Sequence, residues 1–81
     1  MKINVKLFAM TREIAKTSDL CLDVPPNSTA VAVLESLDRL FPALRPYHDH
    51  LRIAVNREYV DETHVLREND EVAVIPPVSG G

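Results

Sequence analysis

The residues with the clearest chemical potential lie at the C-terminal end of the sequence. The only two glycines among its 81 residues are the last two, Gly80 and Gly81. At a background of about 7% glycine, a terminal Gly-Gly occurs by chance in about one chain in 200. Because glycine has no Cβ, a narrow channel can close around its backbone. The pattern predicts that the main-chain carboxylate of Gly81 enters the active site of another protein.

The residues before the glycines extend this prediction to a whole tail; they are Pro76, Pro77, Val78 and Ser79. Consecutive prolines cannot continue a central strand, so we expect residues 76–81 to form an extended, flexible tail. Six such residues reach about 20 Å. The prolines also restrict the direction of the tail and lower the entropy lost when it is inserted. We assign residues 1–75 to a folded domain and residues 76–81 to a tail that threads into a partner.

Other polar residues offer less chemistry. The single cysteine, Cys21, cannot form an intrachain disulfide, and the acidic residues on either side of it disfavour a reactive thiolate. His48 and His50 flank Asp49, but two histidines without a placed third ligand rarely hold a metal ion. We therefore expect a solvated loop at residues 48–50 and no metal site.

The charge distribution restricts the classes of partner. The formal net charge is −3, and residues 58–81 contain six acidic residues against Arg67 alone. This balance makes nucleic acid an improbable ligand. It suits either a partner with a basic groove or a simple solubilising surface. No apolar run approaches the ~20 residues of a membrane span, and residues 1–6 lack a signal-peptide pattern, so we expect a cytoplasmic protein without a membrane partner.

The first half of the chain predicts two strands and a helix. Apolar and polar residues alternate over residues 2–9 and again over residues 18–24, as in half-buried strands. A short helical turn fits residues 11–16 between them. From Ala30 the period becomes helical, and the prolines at 42 and 46 are expected to end the helix and begin an irregular stretch. The apolar stripe of this helix consists of Val33, Leu34, Leu37, Leu40 and Phe41.

The second half predicts three more strands. They cover residues 51–55, a short segment around Tyr59, and residues 71–75, which end at the two prolines. One helix must then cover one face of one mixed sheet, which gives a two-layer α+β domain. Alternation places Phe8, Tyr59 and Ile75 on the other face.

These three side chains predict an apolar patch near the tail, and an exposed patch of this kind marks an interaction site. The alternative is a minor second core covered by a loop. Arg12, in the turn after the first strand, is a weaker candidate for the same interface.

The sequence resembles the small subunit of molybdopterin synthase. The resemblance is strongest over residues 69–81, which end in Pro-Pro-Val-Ser-Gly-Gly, and it extends to residues 5–13 and 54–56. It implies the ubiquitin-like β-grasp fold, with one main helix packed on a four- to five-stranded mixed sheet. It also places Phe8, Tyr59 and Ile75 where that family contacts its large subunit.

The same resemblance implies a sulfur carrier in molybdenum-cofactor biosynthesis. An E1-like adenylyltransferase would use ATP to adenylate Gly81, and a sulfur donor protein would convert the adenylate to a thiocarboxylate. The large subunit, which is expected to form a heterotetramer with this chain, would hold the catalytic residues. The chain itself would bind no cofactor and would serve as a co-substrate.

Three alternatives remain open at this point. The chain could carry sulfur for another pathway, such as thiamine synthesis or tRNA thiolation. It could be a ubiquitin-like modifier that is joined to lysines. It could also be a non-catalytic ubiquitin-like interaction module, in which the C-terminus does no chemistry.

Overall fold

The computed structural model describes residues 1–77, and the predicted tail residues 78–81 lie outside this range. The described part contains five strands, two α-helices and one 3₁₀ helix. Their bounds are β1 Lys2–Leu7, α1 Ala9–Ala15, β2 Asp19–Asp23, α2 Ala30–Leu40, the 3₁₀ helix Pro42–His50, β3 Arg52–Val55, β4 Glu58–Val60 and β5 Glu71–Ile75. The predicted order of elements is confirmed, with ends that shift by one or two residues.

The strands form one mixed sheet in the order β2-β1-β5-β3-β4. β1 pairs antiparallel with β2 and parallel with β5. β3 pairs antiparallel with both β4 and β5. The last strand of the chain is therefore the central strand of the sheet. The predicted α+β class and mixed sheet are confirmed, although α1 and the 3₁₀ helix add to the one main helix.

The main helix, α2, covers one face of the sheet. Most of its apolar stripe is buried against the strands, and Val33 and Leu37 are fully inaccessible. The prediction was wrong for Leu40, which ends the helix and is 56% exposed. Burial of each large aliphatic side chain contributes about 1.5–3 kcal/mol. We call the opposite face of the sheet the open face. The core side chains are Ile3, Val5, Leu7, Leu22, Val24, Ala30, Val33, Leu34, Leu37, Leu44, Leu51, Ile53, Val55, Leu66, Val72 and Val74.

The folded body makes its tight turns without glycine. Asn56 and Arg57 connect β3 to β4 with φ angles of 51° and 74°, as the common two-residue hairpin turn requires. Asn27 and Asn69 adopt positive φ at two other turns, because asparagine tolerates this conformation better than most residues. The turns of residues 1–77 are therefore made without glycine, and the two glycines of the sequence, Gly80 and Gly81, play no part in them.

The prediction of an irregular stretch after α2 was wrong. Residues Pro42–His50 form a 3₁₀ helix, in which the amide of Leu44 donates to the carbonyl of Phe41 over 2.9 Å. Proline suits the start of a helix because its missing N–H would have no partner there. Leu44 anchors this segment, since its side chain is fully buried in the core.

Candidate functional site

The predicted tail leaves the body from the middle of the sheet. β5 ends at Ile75, between β1 on one side and β3 on the other. Pro76 is buried and Pro77 is exposed, so the chain reaches the surface within two residues of the last strand. Val78, Ser79, Gly80 and Gly81 lie outside the described residues, and their roles in threading and sulfur chemistry remain predictions.

Three predicted interface residues lie around this exit on the open face. Pairing of Leu7 with Val74 sets Phe8 beside Ile75. Tyr59 lies on the other side, opposite Ala54 of β3. Phe8 is 46% exposed and Tyr59 is 66% exposed, while Ile75 is half-buried. This exposure excludes the alternative of a covered second core at Phe8 and Tyr59.

Two alanines form the floor between these larger side chains. Ala54 and Ala73 pair across β3 and β5, and both point to the open face. Ala54 is only 6% exposed and is not part of the helix-covered core, so neighbours on the open face must cover it. Small side chains in the centre and large ones around them create a shallow apolar depression. We call this surface the apolar half; it consists of Phe8, Ala54, Tyr59, Ala73 and Ile75.

The backbone that presents Phe8 is fixed by local hydrogen bonds. Thr11 is fully buried; its Oγ1 accepts from the Phe8 amide over 3.1 Å and donates to the Phe8 carbonyl over 2.6 Å. Ala9 follows with a φ of 50°, an unfavourable angle for a residue with a Cβ. The sharp turn ends β1 at Leu7 and starts α1 directly after Phe8. The aromatic ring is thus presented on a backbone with defined geometry.

Arg12 lies one turn of α1 beyond Phe8. Its amide donates to the Phe8 carbonyl over 3.4 Å, and its side chain is exposed. Arg12 does not line the groove beside the tail exit. The structure therefore places it close to Phe8 along the chain but on the far side of β5 from Tyr59.

An open groove of about 580 Å³ borders the tail exit on the β3–β4 side. Tyr59, Ile75, Pro76 and Pro77 form one part of its lining. The other part comes from the end of the 3₁₀ helix and the start of β3. These residues are Asp49, His50, Leu51 and Arg52. The groove joins the apolar half to the first residues of the tail.

The predicted solvated loop at residues 48–50 is wrong for His48. Its Nδ1 lies 2.5 Å from Oδ2 of Asp38 in α2, and both side chains are largely buried, with 23% and 20% exposed. Asp38 lies outside the apolar stripe of α2, and the 3₁₀ helix folds back over it, which local sequence patterns do not reveal. This contact ties the groove wall to the main helix. His50 is exposed, as expected.

The other half of the open face, over β1 and β2, has a different character. The Lys2 ammonium lies 3.2 Å from Asp23, and Lys6 forms an ion pair with Asp19. The hydrogen bonds from these lysines lower the pKa of both carboxyl groups. We call these four residues the paired half. Cys21 is exposed between the two pairs, opposite Asn4.

Most of the acidic residues near the start of β5 are used in turns. The Lys2 amide donates to Glu68 over 2.8 Å, and the Arg67 amide donates to Asp70 over 2.8 Å. These contacts lie at the end of the sheet opposite to the tail exit. The acidic surplus seen in the sequence therefore partly serves local structure, at a distance from the apolar half.

Sequence reasoning missed Arg52, the two alanines of the floor and Thr11. Alternation already implied that Arg52 and Ala54 face away from the core. The sequence does not reveal that β3 pairs with β5, and this pairing sets Arg52 opposite Ile75. Thr11 gave no signal because a buried threonine in a short helix of mixed residues looks the same in sequence as an exposed one.

Within residues 1–77, no three side chains of histidine, cysteine, aspartate or glutamate are grouped so that they could hold a metal ion. In the same part of the chain, no helix combines the length and hydrophobicity needed to cross a membrane. Among the described residues, the open face with the tail exit is the candidate site, because exposed apolar side chains there border the groove at Pro76 and Pro77.

Comparison with known proteins gives consistent matches. Residues 5–81 match the ThiS family. The molybdopterin synthase sulfur carrier subunit of Arabidopsis thaliana is 38% identical over all of this chain and 84% of its own length. The protein of the same name from Drosophila yakuba is 40% identical over all of this chain and 92% of its own length.

A solved structure agrees with the fold. SAMP1 of Haloferax volcanii, the small archaeal modifier protein 1, superposes with a TM-score of 0.87 at 31% identity. The match covers 100% of both chains. The likeness therefore extends over the whole fold.

Proposed function

Because the chain belongs to the ThiS family, we propose that it is the sulfur carrier subunit of a molybdopterin synthase. In this proposal the main-chain carboxylate of Gly81 carries the sulfur, and a large subunit supplies the catalytic residues. Relatives that bear the name of such a subunit align with the whole chain. The family match extends to residue 81, so it includes the Gly-Gly end.

The observation that carries the proposal is the position of the tail exit. The central strand β5 delivers Pro77 to the surface beside an exposed apolar surface. A partner that docks on the apolar half therefore lies next to the start of the tail. The four residues after Pro77 span at most about 14 Å when extended. That length suits an active site in the docked partner just beyond the interface.

The chemistry requires activation by another protein. A C-terminal carboxyl has a reference pKa of about 3.3–3.7, so it is ionised and unreactive at neutral pH. In the proposed sequence the carboxylate attacks the α-phosphate of ATP on an E1-like enzyme and releases pyrophosphate. Sulfur delivered at the sulfide level by a donor protein then attacks the acyl carbon and expels AMP, which leaves a thiocarboxylate. The thiocarboxylate sulfur then bonds to a pterin precursor on the large subunit, and water hydrolyses the resulting thioester, which leaves the sulfur on the pterin and regenerates the Gly81 carboxylate.

The first test removes the reacting group. Deletion of Gly81, or addition of one alanine after it, should abolish adenylation, because the carboxylate no longer reaches the activating site at the right register. ATP–pyrophosphate exchange with the E1-like enzyme measures this step. Arg39→Ala is the control, since it changes an exposed residue of α2 and leaves the tail and its terminus unaltered. Unchanged exchange with the Gly81 deletion would exclude carrier chemistry at this end.

A second test separates the pathways. Thiocarboxylated protein, recognised by the mass gain of one oxygen replaced by sulfur, is incubated with a molybdopterin synthase large subunit and the pterin precursor. Formation of molybdopterin supports the proposal. The similarity to small archaeal modifier protein 1 favours a ubiquitin-like modifier as the second candidate. Lysine-linked conjugates of this chain in its host, without molybdopterin formation, would support that candidate.

A further inference from the structure

Arg52 is a charged residue beside an otherwise apolar surface. It is the first residue of β3, is exposed, and lies opposite Ile75 of β5. It lines the groove at the tail exit together with Tyr59, Pro76 and Pro77. No role for this residue follows from the sequence alone, and neither the fold nor the proposed sulfur chemistry uses it.

The Arg52 guanidinium has no carboxylate partner within the described chain. None of the ion pairs found among residues 1–77 includes Arg52 or its groove neighbour Asp49. Because Ile53 pairs with Val60, the next residue of the chain after β4, Asp61, lies opposite Arg52. The Oδ1 atom of Asp61 already accepts hydrogen bonds from the amide and hydroxyl of Thr63. In contrast, the lysines of the paired half each contact an aspartate.

The surroundings of Arg52 suit recognition of a carboxylate. Because Tyr59 lies opposite Ala54, Arg52 is its diagonal neighbour across the two strands, a separation that long side chains can bridge. Apolar groups on one side reduce the hydration of a guanidinium, and its planar fork matches the two oxygens of a carboxylate. Arginine beside aromatic residues is a common centre of binding energy in protein interfaces.

We propose that Arg52 is a specificity-determining residue of the docking surface and forms an ion pair with a carboxylate side chain of the large subunit. The inference rests on the proposed function, because the occupant of the groove is the partner that receives the tail. Apolar contacts alone would permit several orientations. One ion pair at the margin of the groove fixes a single orientation, in which Pro77 points toward the partner's active site.

The experiment measures the affinity of this chain for the large subunit of the same organism by calorimetry. Arg52→Glu should weaken binding at least ~10-fold, which corresponds to about 1.4 kcal/mol. Arg52→Gln should have a smaller effect and should reduce the salt dependence of binding, because a screened attraction has been removed. Arg39→Glu is the matched control. It changes the net charge equally, but Arg39 is exposed on α2, on the other layer.

The outcomes separate this inference from the proposed function. Equal affinities for Arg52→Glu and Arg39→Glu would overturn the inference, while normal adenylation of Gly81 would leave the proposed function standing. If wild-type protein does not bind the large subunit, both are wrong. Restored binding of Arg52→Glu to a large subunit with one acidic residue changed to lysine would support the ion pair and identify its partner.

A competing occupant of the groove is the chain's own tail. If Arg52 binds the terminal carboxylate in the free protein, Arg52→Gln should move the amide resonances of Gly80 and Gly81 in NMR spectra. That result would overturn the proposal. Unmoved resonances, together with the loss of affinity in Arg52→Glu, would support it.

Discussion

The two halves of the open face differ in whether their side chains contact one another or are exposed. In the paired half, Lys2 and Lys6 of β1 each contact an aspartate of β2. In the apolar half, Phe8 and Tyr59 expose about half or more of their surfaces, and Arg52 beside them has no ion pair among residues 1–77. Both halves belong to one sheet and alternate in the same way along their strands.

The difference shows where a partner is needed. A surface whose charges pair internally gains little from a partner, because those pairs would have to be broken or desolvated. A surface with exposed aromatics and an unpaired arginine gains from burial of both. The central position of β5 puts the tail exit inside the second surface. Pairing on one half is therefore expected to direct a partner to the half that contains the tail exit.

The sharpest test of this comparison is Phe8→Glu. We expect affinity for the large subunit to fall ~10-fold or more, since a charge would be buried where an aromatic ring now gives apolar contact. The fold should persist, because the bonds between Phe8 and Thr11 use only the Phe8 backbone. Calorimetry gives the affinity, and circular dichroism gives the melting temperature.

The control for Phe8→Glu is Leu40→Glu. Leu40 is 56% exposed, similar to the 46% of Phe8, but it ends α2 on the other layer. This variant carries the same new charge and should bind normally. Equal losses in both variants would mean that net charge, and not the apolar half, governs binding.

A second test changes Thr11, whose hydroxyl group holds the Phe8 backbone. Thr11→Val removes the hydroxyl that accepts from the Phe8 amide, while the Phe8 carbonyl keeps the amides of Thr11 and Arg12 as donors. Loss of this partly buried hydrogen bond at the start of α1 costs about 1 kcal/mol. Chemical denaturation should show this loss, and affinity for the large subunit should also fall because the ring is less well fixed.

Thr11→Ser is the variant that separates these roles, since it restores the hydroxyl and removes only a methyl group. Binding should return to near the wild-type value, while part of the stability loss remains. If Thr11→Val binds normally at a temperature where it is fully folded, then Thr11 supports the fold alone and does not position Phe8.

Local patterns were sufficient to predict most of the fold. The strict alternation in β1 and the stripe of α2 identify the buried residues, because one face of each element must leave water. The 3₁₀ helix was missed because proline reads as a breaker, although Pro42 fits a helix start. Its anchor, the contact of His48 with Asp38, joins residues ten positions apart and depends on how the chain folds back.

The sequence predicted which face of each strand the site residues occupy, but not how the strands place those residues beside one another. The faces of Phe8, Tyr59 and Ile75 followed from alternation within each strand. The role of Arg52 depends on the register between β3 and β5, which a single sequence does not specify. The tail stays a prediction from composition, made because the two glycines stand at the end of an otherwise glycine-free sequence.

The smallest expected effect concerns the paired half. Because the lysine bonds lower the pKa of Asp19 and Asp23 below the ordinary 3.8, these pairs stabilise the fold above that pH, and the contribution is lost as pH falls through the folded pKa values. The Asp19→Asn, Asp23→Asn double variant should melt slightly below wild type at pH 7, and the gap should close in acid. Its affinity for the large subunit should equal that of wild type. A gap that persists below both pKa values, or a weakened complex at pH 7, would contradict the assignment of these pairs to a solvated, partner-free half.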